Sequence, residues 1–490
     1  MNNSIIRYIL GYVLKIETIL LLFPCTVAVI YKENEGVYFL ITACICGILG
    51  VLLTLKKPAS FIFYLKEGSA ATALSWIVIS LFGALPFWLS GEIPLFADAL
   101  FETVSGFTTT GASILNDVEA LSYCSLFWRS FTHWIGGMGV LVFLLAVIPL
   151  SGGSQINLMR AESPGPSVGK LVPKIKTTAR LLYIIYFGMT ILQIIFMLAG
   201  GTSLFDTLTI TFGTAGTGGF GVKNDSIGGY SPYIQWVVAI FMILFGINFN
   251  VYYLLIYRKW RKALSIEEVH TYFMIIIISV TVIFLNIAKT AGSAADALRH
   301  SFFQVSTLIT STGFSTTDYD LWPQTAKTVL ILIMFIGACA GSTGGGIKVS
   351  RIIILVKSIK KELGSYIHPK SIQKIKMDGK PVEHEILRAT NVYFVAFTVI
   401  FALSVLAVSL DNKDFTSNFT AVLATMNNMG PGLAEAGPAQ NFSSFGTFSK
   451  IVLMFDMLAG RLELFPLLIL FHPGIWKELF TRIRKKLHKK

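Results

Sequence analysis

Charge is what this 490-residue chain has least of. Only 14% of its residues are charged, against about 25% in a soluble domain, while 54% are hydrophobic and the mean hydropathy is +0.68. That shortage excludes an ordinary water-soluble domain, which needs a charged surface over its core. Cysteine is scarce as well. Cys25, Cys44, Cys46, Cys124 and Cys339 are odd in number and mostly sit inside apolar runs, so no disulfide framework and no zinc spacing is on offer. The chain has no H-E-x-x-H and no G-x-S-x-G, and its seven histidines are scattered; it is expected not to be an enzyme and to need no cofactor. The first apolar run has a poor cationic lead and no clear small-residue cleavage site, which fits a retained membrane helix better than a cleaved signal.

What is present is apolar sequence in long runs. Stretches near 5–31, 37–55, 72–90, 127–150, 180–200, 233–257, 271–289, 326–356, 390–410 and 447–471 predict ten membrane crossings. An even number puts both termini on one side. Lys56 and Lys57, the stretches 170–180 and 357–380, the run from Arg258 to Lys262 and the tail from Arg482 to Lys486 fall on a single face, which the positive-inside rule makes cytoplasmic. The net charge of +13 thus reflects topology rather than a nucleic-acid partner. The opposite loops hold Glu102, Asp117, Glu119, Asp225, Asp318, Asp320, Asp411 and Asp414. Singly these are solvated loop charges; together they would concentrate cations at an outer mouth.

Between crossings lie four segments too short and too polar to span, at 97–113, 205–221, 296–317 and 415–432. Each runs from a weakly apolar helix into a glycine-bearing stretch: Thr108-Thr109-Thr110-Gly111-Ala112-Ser113, Gly216-Thr217-Gly218-Gly219-Phe220, Thr310-Ser311-Thr312-Gly313-Phe314 and Asn427-Asn428-Met429-Gly430-Pro431-Gly432. With Gly111, Gly218, Gly313 and Gly430 taken as equivalent, the segments recur at near-regular intervals, and Phe101 and Phe303 each stand ten residues before their glycine. The expected fold is an all-α integral membrane protein with four pseudo-symmetric repeats of helix, pore half-helix and helix around one pore, preceded by two extra transmembrane helices. The corresponding division is 1–66 for the N-terminal pair, then repeats at 67–165, 166–262, 263–372 and 373–490, the last with its basic tail.

Non-helical backbone at membrane depth has to be satisfied by protein or by a water-filled path. A potassium filter replaces the hydration shell of the ion with carbonyl oxygens, and glycine permits the required dihedrals and a close approach of chains. No acidic residue occurs in the four glycine-centred stretches, which disfavours selection by a carboxylate ring. Helix packing through small residues is the rival explanation, but it predicts them within spans rather than between them. The candidate filter is therefore Thr109, Thr110, Gly111, Gly216, Thr217, Gly218, Ser311, Thr312, Gly313, Asn428, Met429 and Gly430, with potassium held at Thr110, Gly111, Thr217, Gly218, Thr312, Gly313, Met429 and Gly430.

The stretches Thr108 to Ala112, Thr310 to Phe314 and Asn427 to Gly432, together with His133-Trp134-Ile135-Gly136-Gly137-Met138-Gly139, resemble those of the Trk/Ktr/HKT superfamily over essentially the whole chain. The two additional N-terminal helices place the likeness in the branch that has them. The resemblance implies a potassium uptake protein of the bacterial inner membrane, a homodimer with one pore per subunit, and a cytoplasmic nucleotide-binding regulatory ring of the TrkA type.

The run Gly341-Ser342-Thr343-Gly344-Gly345-Gly346 carries four glycines in six positions, each costing a helix about 1 kcal/mol relative to Ala, and predicts a loop within the membrane. It is the candidate gate beneath the filter, which the resemblance supports; a cleft-lining hinge is the alternative. Arg461 lies in the last apolar run, where a central arginine costs about 2.5–3.5 kcal/mol to insert. By resemblance it projects toward the pore as a barrier to cations; on the sequence alone, a pair with Asp456 or Glu463 serves as well. Neither Gly341 to Lys348 nor Gly216 to Gly221 has the strand–helix context of a nucleotide-binding loop. A secondary symporter with broken helices would share the glycine interruptions, but it predicts inverted repeats and a coupling carboxylate. The membrane potential, about 2.3 kcal/mol per charge per 100 mV, is enough to drive uptake without ATP hydrolysis in this chain.

Overall fold

The computed structural model describes residues 2–58, 64–139, 175–289, 292–369 and 373–474. The second half of the apolar run at 127–150, the start of the basic stretch at 170–180, residues 370–372 and the tail from Arg482 lie outside the described residues. The chain begins with α1 (Asn3–Leu20), α2 (Leu22–Tyr31) and α3 (Gly36–Thr54), followed by α4 (Leu65–Gly83), α5 (Leu85–Ser90), α6 (Phe96–Phe107) and α7 (Tyr123–Gly137). Next come α8 (Ile175–Ala199), α9 (Leu204–Gly216), α10 (Pro232–Phe245), α11 (Phe249–Ile256) and α12 (Trp260–Leu264). They are followed by α13 (Glu267–Ile287), α14 (Ala294–Ile309), α15 (Gln324–Ile336) and α16 (Val349–Ile367), then α17 (His384–Val408), α18 (Phe415–Met426), α19 (Thr447–Arg461) and α20 (Phe465–Leu468). A two-stranded antiparallel pair at Lys376–Met377 and Lys380–Pro381 is the one sheet among the described residues.

Among the described residues, six helices are long and apolar enough to cross a bilayer: Asn3–Tyr31, Gly36–Thr54, Leu65–Ser90, Arg180–Ala199, Glu267–Ile287 and His384–Asp411. Of the remaining four apolar runs three are helical but interrupted, and that at 127–150 is described only as far as Gly139. α10 and α11 meet at 89°, α15 and α16 flank the glycine loop, and α19 gives way to Glu463 and Leu464 at φ 55° and 66°. α7 ends at Gly137, with Gly139 at φ 75°. Composition predicts a break at the glycine loop, whereas Ile247 and Leu464 continue their apolar runs through the bends after α10 and α19.

The short helices start from polar caps. Ser203, Ser293 and Asp414 accept from the backbone amides of Asp206, Asp296 and Ser417, starting α9, α14 and α18. Ser122 and Ser231 do the same for α7 and α10. Asp414 lies outside the membrane-spanning segments, and the hydroxyl and amide of Ser417 hold its carboxyl below the usual carboxylate range.

The short helices pack in a closed sequence. α9 lies against α7, α14 against α10, α18 against α15, and α6 against α19. α1 and α3 pack on each other outside this ring, α1 also touching α4. Their crossing relies on glycine: a Cβ on Gly50 would lie 2.9 Å from Gly11 O and 3.0 Å from Lys15 Cγ. Overpacking such a contact costs about 1–3 kcal/mol. Gly50→Val is therefore expected to lower the thermal midpoint in detergent by several degrees while leaving ion flux per folded molecule unchanged, measured by thermal size-exclusion analysis alongside liposome flux.

Candidate functional site

Each of α6, α9, α14 and α18 ends in the same cap. Thr109, Thr217, Ser311 and Asn428 take left-handed φ of 56°, 54°, 56° and 53°. Their amides donate three residues back, to Gly106, Thr214, Leu308 and Thr425 O. The amides of Thr110, Gly218, Thr312 and Met429 donate five back, to Ser105, Gly213, Thr307 and Ala424 O, at 2.8–2.9 Å. These are the paired bonds of a Schellman cap. Its left-handed position is usually glycine; here it holds Thr, Thr, Ser and Asn, and a β-branched residue there is a strained exception.

One residue after the second bond the chain turns again at positive φ: Gly111 (83°), Gly219 (79°), Gly313 (90°) and Gly430 (82°). The second equivalent glycine is Gly219, where the sequence alone points to Gly218. Gly218 instead matches Thr110, Thr312 and Met429. A signal for the correct register is present in Gly219-Phe220, which aligns with Gly313-Phe314. The fourth segment, with Asn and Met before its glycine, follows the same backbone course as the other three.

The four turns touch head to tail. A Cβ on Gly111 would overlap Gly218 O; on Gly219, Thr312 O; on Gly313, Met429 O; and on Gly430 it would sit 2.8 Å from Thr110 O. The carbonyl before each glycine thus abuts the glycine of an adjoining turn, and the cycle closes after four. All four glycines line one cavity of about 110 Å³ that also takes in Arg129 and Phe220.

Arg129 departs from the expectation of an acidic mouth. Glu102, one of the loop acids above, lies within α6, is 1% exposed and is ion-paired to Arg129, itself 2% exposed, at 2.7 Å. Its carboxylate also accepts from Ser113 Oγ (2.9 Å) and Ile114 N (3.0 Å). The guanidinium donates to Gly221 O at 3.1 Å and lies 4.1 Å over the Phe220 ring. Glu102 therefore fastens the segments leaving the first and second turns, its charge matched by that of Arg129. Asp117, Glu119 and Asp225 are exposed.

Below the ring runs the glycine loop. Gly341 and Gly346 have φ of 71° and 79°. Gly345 N–H donates to Ser311 Oγ, and Thr343 Oγ1 donates to Phe245 O at 3.3 Å. A Cβ on Gly344 would come within 2.9 Å of Thr310 O, and one on Gly345 would overlap Asn427 O. Ser342 Oγ donates to Cys339 O at 2.7 Å. Two residues that the sequence alone does not single out hold the loop: the Glu268 carboxylate accepts from Ala340 N (2.7 Å) and Ser350 N (3.1 Å), and the Lys348 ammonium donates to Gly344 O and, at 3.2 Å, Gly345 O.

Arg461 closes α19 and points under the ring, donating to Thr343 O (3.0 Å), Gly137 O (2.9 Å) and Gly136 O. The two carboxylates considered for it have other partners. Glu463 is ion-paired to Arg351, and Asp456 accepts from Ser404 Oγ at 2.7 Å.

An all-α membrane protein that gathers four carbonyl-bearing turns on one small cavity is of the ion-transport class. The family model described as TrkH, cation transport protein, matches residues 36–477. The Trk system potassium uptake protein TrkH of Escherichia coli (strain K12) is 35% identical over 98% of this chain and 100% of its own length. The TrkH of Halomonas elongata is 31% identical over the same shares. The crystal structure of the potassium transporter TrkH from Vibrio parahaemolyticus superposes with a TM-score of 0.88 at 31% identity, covering 97% of this chain and 100% of that one. The chain belongs to the TrkH family.

Removing one partner of a buried ion pair costs about 3–5 kcal/mol. Arg129→Met is thus expected to destabilise the folded protein more than Lys413→Met, which breaks the partly exposed pair with Glu435, in a thermal denaturation series in detergent.

Proposed function

We propose that this chain is the membrane subunit of a Trk-type potassium uptake system and that potassium passes through the ring of four turns. The observation that carries this is the closed cycle of carbonyls and positive-φ glycines around a single cavity. Successive carbonyls from several chains at one level are what a dehydrated cation needs, and no acid lies in the turns. The filter consists of Thr109 to Gly111, Gly216 to Gly219, Ser311 to Gly313 and Asn428 to Gly430. With the second turn in its corrected register, the filter's carbonyls at Thr110, Gly111, Gly218, Gly219, Thr312, Gly313, Met429 and Gly430 hold the ion, Gly219 taking the place that the sequence alone gives to Thr217.

The gate is the loop Gly341 to Gly346, with Arg461 beside it as an electrostatic barrier. Support comes from its position beneath the ring and from its bonds to Ser311 and Arg461. The four repeats follow the division 67–165, 166–262, 263–372 and 373–490, behind the helix pair within 1–66. The names of the relatives refer to a system, which supports a separate regulatory component, a nucleotide-binding ring of the TrkA type docked on the cytoplasmic face of a homodimer. The protein resides in the bacterial inner membrane with both termini cytoplasmic.

The test is growth of a potassium-uptake-deficient bacterium on low potassium, with potassium and sodium flux measured in liposomes. Complementation and a preference for potassium are expected; a folded protein, supplied with its partner, that gives neither overturns the assignment. Gly219→Ala places a Cβ at φ 79° and against Thr312 O, and is expected to reduce the potassium-to-sodium permeability ratio by roughly fivefold or more.

Arg461→Ala removes the bonds to Thr343, Gly136 and Gly137 together with the charge. Unstimulated potassium flux is expected to rise, and flux equal to the wild type in the absence of any activator counts against the barrier.

A further inference from the structure

We infer that His133 is a specificity-determining positioning residue, a neutral imidazole wedged behind the second turn that fixes the carbonyl of Gly218. This rests on the filter assigned above.

The four turns share a backbone but not a support. In the first, the hydroxyls of Thr108 and Thr110 bond each other at 2.8 Å; in the third, those of Thr310 and Thr312 do so at the same distance. In the fourth, Asn428 Nδ2 donates to Thr110 Oγ1 (3.0 Å) and Met457 O (2.8 Å). The second turn has glycine, Gly216 and Gly218, at the two positions where the first and third carry the paired threonines. It has no side chain with which to brace itself there.

α7 supplies what is missing. A Cβ on Gly218 would overlap the His133 ring, and one on Gly216 would overlap His133 O, so the imidazole and its backbone occupy the space that the threonine side chains take elsewhere. His133 is fully buried. Its Nε2 lies 3.2 Å from Phe220 N, and its Nδ1 lies 2.7 Å from Gly106 O. A backbone amide only donates and a carbonyl only accepts, so Nε2 accepts and Nδ1 carries the proton. One ring thereby links the end of α6 to the residue after Gly219. An imidazolium would present a second N–H to the Phe220 amide, so the contact requires the neutral form.

Phe220 is contacted by two side chains of α7. The His133 ring lies 4.3 Å from it, centroid to centroid, and the Arg129 guanidinium lies 4.1 Å over it. Both come from α7, one helical turn apart, which places them on the same face of that helix. Displacing the ring frees Gly218 and Gly219, the two residues of this turn that contact its neighbours at Gly111 and Thr312.

The experiment compares His133→Leu, which fills the space without nitrogen, with His133→Gln, whose amide offers both a donor group and an acceptor group. His133→Met replaces the leucine variant if that one does not fold. Each is purified as a monodisperse protein, and potassium-to-sodium permeability ratios are measured in liposomes. The apolar variant is expected to lose about fivefold or more of the ratio, and the glutamine variant to stay within about twofold of wild type. An unchanged ratio in a folded apolar variant, or an equal loss in the glutamine variant, overturns the inference. Nitrogen NMR of histidine-labelled wild-type protein, with the His133 signal assigned by its loss in His133→Gln, supplies a reading that does not depend on folding of the apolar variant. A neutral ring protonated at Nδ1 is expected; an imidazolium or the Nε2–H tautomer overturns the inference. If wild type itself shows no potassium preference, the filter assignment fails instead, which separates the two outcomes.

Discussion

The constraint on which this structure turns is that backbone polar groups inside a membrane must find partners within the protein or in a water-lined path. Stopping a helix at that depth leaves its last carbonyls without partners. Here the problem is met four times by one device, the Schellman cap, which satisfies two carbonyls of α6, α9, α14 and α18 and turns the chain sharply at Thr109, Thr217, Ser311 and Asn428. Each cap leads into a peptide whose carbonyl lies against the glycine of an adjoining turn. The strain of a left-handed Thr or Ser, about 1–3 kcal/mol at each site, is tolerated because the rings of contacts on both sides leave the backbone no other course. Small residues at these positions are thus a condition of closure, since any Cβ at the four glycines meets backbone rather than a movable side chain.

The same constraint governs the buried cations. Arg461 and Lys348 each point their charge at backbone carbonyls in or beside the helix interruptions, those of Gly136, Gly137 and Thr343 for the first and of Gly344 and Gly345 for the second. Arg129 does so in part, through Gly221 O. Interrupted helices therefore create the acceptors that make intramembrane cations tolerable, and the cations in turn stabilise the interruptions. Glu268 is the mirror case, a buried carboxylate on the amides of Ala340 and Ser350, one at each end of the glycine loop. The loop is consequently fixed at its ends by one side chain while its middle rests on Ser311 and Arg461.

Much of this is legible in the sequence, for reasons that also explain what is not. Apolar run length identifies the crossings because the bilayer imposes it, and the glycine-bearing segments stand out because they are too short and too polar to span. Run length gives no warning of the bends at Gly246 to Asn248 and at Glu463–Leu464, where polar residues such as Asn248 and Glu463 stand inside runs that remain long enough to read as single crossings. The register of the second turn reads one residue early because two adjacent glycines offer no side chain to distinguish them. Glu102 reads as a mouth charge because sequence position puts it near a loop; its pairing with Arg129 depends on α6 and α7 lying side by side, which no spacing along the chain reveals.

The single chain also explains why the four turns differ in how they are supported. In a tetramer of identical subunits, every turn would have to carry the same bracing side chains. Here the four copies are covalently distinct, so the second can leave glycine where two others have threonine, and α7 can fill the gap with His133. Backbone geometry has to be shared, because the cycle closes only if all four turns present a carbonyl and a glycine at one level. Side-chain chemistry behind the cycle carries no such requirement. Variation is accordingly found one layer out from the ring, in the Thr108–Thr110 and Thr310–Thr312 hydroxyl pairs, the Asn428 amide and the His133 imidazole, and it is in that layer that the stiffness of each quarter is set.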